Sequence, residues 1–145
     1  MLIKTLDQIQ VGDREVWTRT ITEADVVLYG GLIGDRGPLH LDEPFAASTH
    51  FGARLSYGML HAGYIGATLA QLLGVGSAYV GQNLRFRAPV FVGDTIEVVT
   101  IVTGKDEQKS RVFVETTCTR ADGVVAIQGE AELLIFDVPP AQSRS

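Results

Sequence analysis

The segment that most restricts the fold is residues 58–73, which contain no Asp, Glu, Lys or Arg. Its apolar side chains recur at helical spacing, and Gly74 and Gly76 end the pattern, which predicts one long helix. Four polar side chains, at spacings of 3, 4 and 3, form a single stripe along it: His61, Tyr64, Thr68 and Gln71. A helix without a charged face is expected to be buried on nearly all sides. The rest of the chain must therefore enclose it.

The chain after this helix is rich in strand-forming residues. Alternating or β-branched residues predict four strands, at 77–86, 95–103, 110–120 and 124–136. Asp122-Gly123 predicts a hairpin between the last two. We expect these strands to form an antiparallel meander. Since a curled sheet would hide the helix on most sides, the predicted fold class is α+β, with an antiparallel sheet wrapped around one long buried helix.

The chain before the helix is less regular. Alternation at 13–21 predicts a short, edge-like strand. Thr22 then caps a first short helix, with Asp25 three residues later in a capping-box arrangement. The segment 35–51 is expected to be irregular apart from one helical turn at 42–48.

Composition restricts the class of protein. No repeat or linker divides the chain, so we expect one domain at 1–138 and a flexible tail at 139–145. A net charge of -5 and an isoelectric point near 5.1 argue against nucleic-acid binding. The single cysteine, Cys118, cannot form an intrachain disulfide, and no apolar run reaches the roughly 18 residues of a membrane span. We expect a cytoplasmic protein that binds neither nucleic acid nor membrane.

Candidate chemistry lies in the loop before the helix. Asp35 and His40 stand five residues apart across Gly37-Pro38, a turn that could bring both side chains to one side of the chain. Addition of water to a carbon-carbon double bond needs groups that remove and return protons, and a carboxylate and an imidazole suit this task. The spacing alone also fits an ordinary solvated turn.

Longer motifs resemble a known family. Residues 34–42 read Gly-Asp-Arg-Gly-Pro-Leu-His-Leu-Asp and are followed by Phe-Ala-Ala at 45–47. This segment resembles the Asp-x-Asn-Pro-x-His signature of MaoC-like, (R)-specific enoyl-CoA hydratases. The Tyr-Gly-Met-Leu step at 57–60 and the strand and turn at 79–94 are similar too. The match runs in order from about Val11 to Leu134 and implies a hotdog fold, a sheet wrapped around one helix.

The resemblance also implies roles for individual residues. Asp35 and His40 would hold a water and add it to C3 of a trans-2-enoyl-CoA, giving an (R)-3-hydroxyacyl-CoA. The backbone N–H of Gly58 would bind the thioester oxygen, although a packing or capping glycine would look the same. Tyr57 and Met59, which flank it, would contact the substrate. The family further implies a homodimer and no cofactor, since coenzyme A is part of the substrate.

Two arginines are candidates for binding the coenzyme A phosphates. Arg85 and Arg87 are expected on one face of a strand, with Leu84 and Phe86 on the other, toward the helix. A charged outer strand face would give the same pattern.

Three positions depart from the family pattern. Gly37 replaces Asn, Tyr57 replaces a common His, and Gly66 stands where some short-chain hydratases have a serine that bonds to the carboxylate. These departures leave room for altered or lost activity. The missing Asn and Ser motivate one alternative, a non-catalytic acyl-CoA-binding homologue. A second alternative is a hotdog acyl-CoA thioesterase, which could use the same fold and a carboxylate that activates water, although the Pro-x-His half of the loop argues against it.

Other chemical motifs are weak. His50 is expected in a loop near the acyl-CoA entrance, and His61 in a polar seam or a subunit contact. Three dispersed His and one Cys do not reproduce metal-ligand spacings, so no metal site is predicted. The segments 74–79 and 55–58 lack the glycines of a dinucleotide loop and of a nucleophile elbow.

Overall fold

The computed structural model describes residues 2–139. A 3₁₀ turn at Leu6–Gln8 precedes strand β1 (Arg14–Thr20), helices α1 (Glu23–Ile33), α2 (Pro38–Leu41), α3 (Glu43–Ser48) and α4 (Gly58–Leu73), and strands β2 (Ser77–Phe86), β3 (Thr95–Asp106), β4 (Arg111–Arg120) and β5 (Val125–Ile135). The predicted tail at 139–145 lies outside the described residues except for Pro139.

The five strands form one antiparallel sheet in the order β1-β3-β4-β5-β2. The predicted meander is correct for β3, β4 and β5 but wrong for β2, which pairs with β5 and forms an edge. The reason is the connection at 87–94, which is too long for a tight hairpin and instead passes the start of α4, where Val90 accepts a hydrogen bond from the Ser56 N–H. The chain thus passes from the β2 edge toward the β1 edge of the sheet before β3 begins.

Helix α4 packs against the inner face of the curled sheet, as the hotdog resemblance implies. Ile65 and Leu69 are buried against inward-facing residues of the sheet such as Val98 and Val114. The expectation that α4 is buried on nearly all sides is wrong, however. One face, which includes Gly63 and Ala67, is exposed, because glycine and alanine read as apolar in the sequence but have little surface to bury.

The helices before α4 begin and end at the expected signals. Thr22 and Asp25 form the predicted capping box, and Gly34 ends α1 in the left-handed region at φ 78°. The segment expected to be irregular contains one extra helical turn, α2, because Pro38 is suited to the first position of a helix. In the part of the chain that the structure describes, no helix has the length and hydropathy to cross a membrane.

Candidate active site

The loop that follows α1 brings Asp35 and His40 to the same small space. The Gly37 N–H donates a 2.8 Å hydrogen bond to Asp35 Oδ1. A methyl group placed on Gly37 would lie 3.1 Å from this oxygen and 3.6 Å from His40 Cδ2. The glycine therefore leaves open the space between the two side chains, and its backbone N–H, rather than an Asn side chain, orients the carboxylate.

The hydrogen bonding of His40 fixes which ring nitrogen is free. Its Nδ1 lies 2.9 Å from the Leu55 carbonyl oxygen. A carbonyl only accepts hydrogen bonds, so Nδ1 carries the hydrogen and Nε2 of the neutral ring has a free lone pair. Such a ring can accept a hydrogen from water.

A residue that the sequence gave no reason to select, Arg54, supports the backbone of this loop. Its Nε donates to the His40 carbonyl oxygen at 2.7 Å, and its guanidinium also pairs with Glu23 of α1 at 2.9 Å. Arginine can make both contacts because its donors point in fixed, divergent directions. The partners are 14 and 31 residues away in sequence, so no local motif marks Arg54.

Tyr57 contacts both members of the pair. Its hydroxyl donates a 2.6 Å hydrogen bond to the Asp35 carbonyl oxygen, and its ring stacks on His40 with a centroid distance of 3.9 Å. Burial, and next the nearby Asp35 charge, raise the pKa of Tyr57, which keeps its hydroxyl protonated as a donor. Gly30 of α1 makes room for this hydroxyl, because a methyl group there would lie 2.5 Å from it.

The pair lies in the wall of a cavity of about 550 Å³. Six of the predicted site residues line it: Asp35, His40, Tyr57, Gly58, Met59 and Arg87. Arg85 is not among the described residues that form the cavity wall. Strand β2 ends at Phe86, and the N–H of the next residue, Arg87, still donates a 2.8 Å hydrogen bond to the Ala126 carbonyl oxygen. The placement of both arginines on one strand face stays a prediction.

Gly58 is the first residue of α4, where backbone N–H groups have no intrahelical partner. The preceding N-cap, Tyr57, makes no side-chain capping bond, so the Gly58 N–H is available to a ligand in the cavity. A methyl group on Gly58 would lie 2.7 Å from the Phe86 ring. A larger residue at this position would therefore have to displace the Phe86 ring.

The remaining predicted positions differ in their relation to the cavity. Gly66 lies against Tyr79, whose ring would be 3.4 Å from an added methyl group, and does not line this cavity. His50 is exposed and contacts Phe51, a lining residue, with ring centroids 3.9 Å apart. His61 is buried, bonds to Ser56 of its own chain and lines the same cavity, and its predicted place in a polar seam or a subunit contact stays a prediction. Within residues 2–139 no three His, Cys, Asp or Glu side chains cluster as metal ligands would.

Comparisons with known proteins show which proteins this chain is similar to. An (R)-specific enoyl-CoA hydratase of Rhodospirillum rubrum is 40% identical over 93% of this chain and 94% of its own. A 3-hydroxybutyryl-CoA dehydratase of Methylorubrum extorquens is 41% identical over 86% of this chain and 80% of its own.

Solved structures share the fold. The unliganded R-hydratase of Pseudomonas aeruginosa superposes with a TM-score of 0.85 at 34% identity and 95% coverage of both chains. The (R)-hydratase of Aeromonas caviae also gives 0.85, at 37% identity, covering 88% of this chain and 97% of its own. The model of the MaoC-like domain family matches residues 9–124. With these relatives and this match over most of its length, the chain belongs to the MaoC-like domain family.

Proposed function

We propose that this protein is a hydro-lyase that hydrates trans-2-enoyl-CoA to (R)-3-hydroxyacyl-CoA and catalyses the reverse dehydration. One observation carries the proposal: the carboxylate of Asp35 and the free Nε2 of His40 border one space in a cavity large enough for an acyl group. Relatives named for this reaction, 40% and 41% identical over most of both chains, support it.

In the proposed mechanism, a water molecule donates one hydrogen to Asp35 and the other to His40 Nε2. Its oxygen attacks C3 while one of these groups takes up the proton, and that proton then goes to C2. Negative charge develops on the thioester oxygen during the attack. The Gly58 N–H, at the positive end of α4, stabilises this charge.

In the bound substrate, the coenzyme A part is proposed to extend out of the cavity past Arg87, whose positive charge suits a phosphate group. The reaction adds a molecule of water and leaves no net gain or loss of electrons. It therefore needs no redox cofactor, and coenzyme A enters only as part of the substrate.

Crotonyl-CoA tests the proposal and its alternatives in one assay that follows loss of enoyl absorbance together with release of free thiol. Hydration without thiol supports a hydratase. Thiol release would favour a thioesterase. Binding of the ligand without either signal would favour a non-catalytic acyl-CoA-binding protein.

Substitutions test the assigned pair. Asp35→Asn and His40→Ala should each lower the hydration rate about 10²-fold or more. His50→Ala, which changes an exposed histidine outside the cavity wall, is the matched control. Full activity in both site variants would refute the assigned pair.

We also propose a homodimer formed through the α4/β2 face, which comprises the exposed side of α4 and the edge strand β2. Small residues of α4 and exposed apolar side chains such as Val80 and Phe86 support this face. The unpaired edge of β2 offers backbone groups to a second copy. Sedimentation should give a dimer, which Ala67→Arg converts to a monomer. Gln108→Arg, in the exposed turn between β3 and β4, should leave the dimer intact. A dimer that survives Ala67→Arg would place the interface elsewhere.

The location proposed for this protein is the cytoplasm. A single buried cysteine with a free thiol, Cys118, supports a reducing compartment. Fractionation of the source cells would test this location.

A further inference from the structure

The cavity floor contains a polar pair that the proposed reaction does not use. Ser56 is 6% exposed and His61 is 2% exposed, and the His61 Nε2 lies 2.8 Å from the Ser56 hydroxyl oxygen. Both residues line the cavity next to Val90 and Ile127, which are equally buried and apolar. Apart from this pair and Tyr57, the buried side chains that line the cavity are apolar.

The position of the pair does not require polar residues. Ser56 precedes the N-cap of α4 and His61 is the fourth residue of the helix. These two positions often hold a pair of apolar side chains that fix how the chain enters a helix. An apolar pair would do this without the desolvation that two buried polar side chains incur. Helix entry alone thus leaves the polar character of the pair unexplained.

The His61 imidazole has one ring nitrogen, Nδ1, that can bond to a ligand. His61 Nε2 bonds to Ser56, and no residue in the described range 2–139 bonds to Nδ1. Burial lowers the pKa of His61 to about 4, so the ring is neutral near pH 7. It offers a hydrogen bond but no positive charge. The neutral His61 ring supplies no counter-ion for a buried carboxylate, which makes a neutral group the suitable ligand.

The distance to the reacting atoms is short. His61 lies three residues after Gly58, about 4.5 Å along the helix axis. Because the Gly58 N–H is assigned to the thioester oxygen, a group that reaches His61 lies only a few carbons from the thioester.

We propose that Ser56 and His61 form a polar subsite that binds a neutral oxygen, a hydroxyl or a carbonyl, on a short acyl chain. This inference rests on the proposed function, since it takes the cavity as the acyl site. It narrows the substrate class to enoyl-CoA thioesters that carry an oxygen substituent near the double bond.

Two substrates of equal chain length test the subsite: 2-hexenoyl-CoA and 5-hydroxy-2-hexenoyl-CoA. The wild-type protein should show the higher kcat/KM for the hydroxylated substrate. The double variant Ser56→Val, His61→Leu supplies an apolar pair at helix entry, and it should lower the ratio of the two kcat/KM values at least about 10-fold. Thr100→Val removes a buried hydroxyl outside the cavity wall and should leave the ratio unchanged.

The outcomes separate this inference from the proposed function. If the wild type hydrates both substrates without preference, or if the double variant changes both kcat/KM values equally, the subsite is refuted and the hydratase stands. If the wild type hydrates neither substrate nor crotonyl-CoA, the proposed function itself fails, and the subsite falls with it. Should the double variant not fold, Ser56→Ala alone should lower the same ratio, and an unchanged ratio in that variant would also refute the subsite.

Discussion

A methyl group added at Gly30 should impair catalysis although Gly30 does not line the cavity. In Gly30→Ala the new methyl would lie 2.5 Å from the Tyr57 hydroxyl and 2.9 Å from the Asp35 carbonyl oxygen. These two atoms are the donor and acceptor of one hydrogen bond. The substitution therefore forces them apart, and Asp35 moves with its backbone.

The magnitude follows from three opposing contributions. Alanine stabilises a helix interior by about 0.5–1 kcal/mol relative to glycine. Overpacking costs about 1–3 kcal/mol, and the lost hydrogen bond about 1 kcal/mol. The free energy of unfolding of Gly30→Ala should thus fall by about 1–3 kcal/mol. Since a shift of about 1 Å in a catalytic group can cost about 10²-fold, we expect kcat/KM to fall at least 10-fold.

Gly31→Ala is the matched control, because it makes the same change in the next residue of α1 with no atom within 4 Å. It should be slightly more stable than the wild type and fully active. Urea unfolding and hydration of crotonyl-CoA measure the two effects. Adding Tyr57→Phe to Gly30→Ala should recover part of the stability, since it removes the closer contact, but not the activity. Equal rates in Gly30→Ala and Gly31→Ala would refute the idea that Tyr57 positions Asp35.

Three further predictions concern charge and protonation. Arg87→Ala should raise KM for crotonyl-CoA severalfold, with an effect that shrinks at high salt, whereas Arg85→Ala should not; equal effects would remove Arg87 from the site. Burial raises the pKa of Cys118 to about 12, so iodoacetamide at pH 8 should modify it only after unfolding in urea. The His61 pKa is about 4 in the folded chain against 6.5 in the unfolded chain, so the unfolded chain binds the proton first and stability should fall as pH drops from about 6.5 to about 4. Urea titrations should show a smaller fall in His61→Leu.

Local signals in the sequence were sufficient to predict most elements. The Thr22 capping box and the glycines after α4 mark helix ends through contacts within a few residues. The predicted strand order was correct where a short turn joins the partners, as between β4 and β5. The pairing of β2 with β5 depends on contacts between residues about 50 positions apart, such as Asn83 and Glu130, which no local pattern encodes.

The site residues likewise fall into those that a local motif predicts and those that it does not. The motif and its resemblance to a family identified Asp35 and His40 as candidates, and the structure places them together at one cavity, while their catalytic role stays a prediction. The residues that hold them, Arg54 and Gly30, act over distances in sequence that leave no motif. Both arginines were selected from strand periodicity, but only Arg87 lines the cavity, because periodicity predicts the face of a residue and not its distance from the cavity.

Successive residues of the short segment 54–57 contact different parts of the site. Arg54 and Tyr57 point toward the loop that holds the catalytic pair, and the Leu55 carbonyl bonds to His40. Ser56, between them, points instead to the cavity floor. We therefore propose that neighbouring side chains of this segment affect reactivity and acyl preference separately. Substitution of Ser56, by selection or by design, could therefore change the preferred acyl group without altering the hydrogen bonds that position Asp35 and His40.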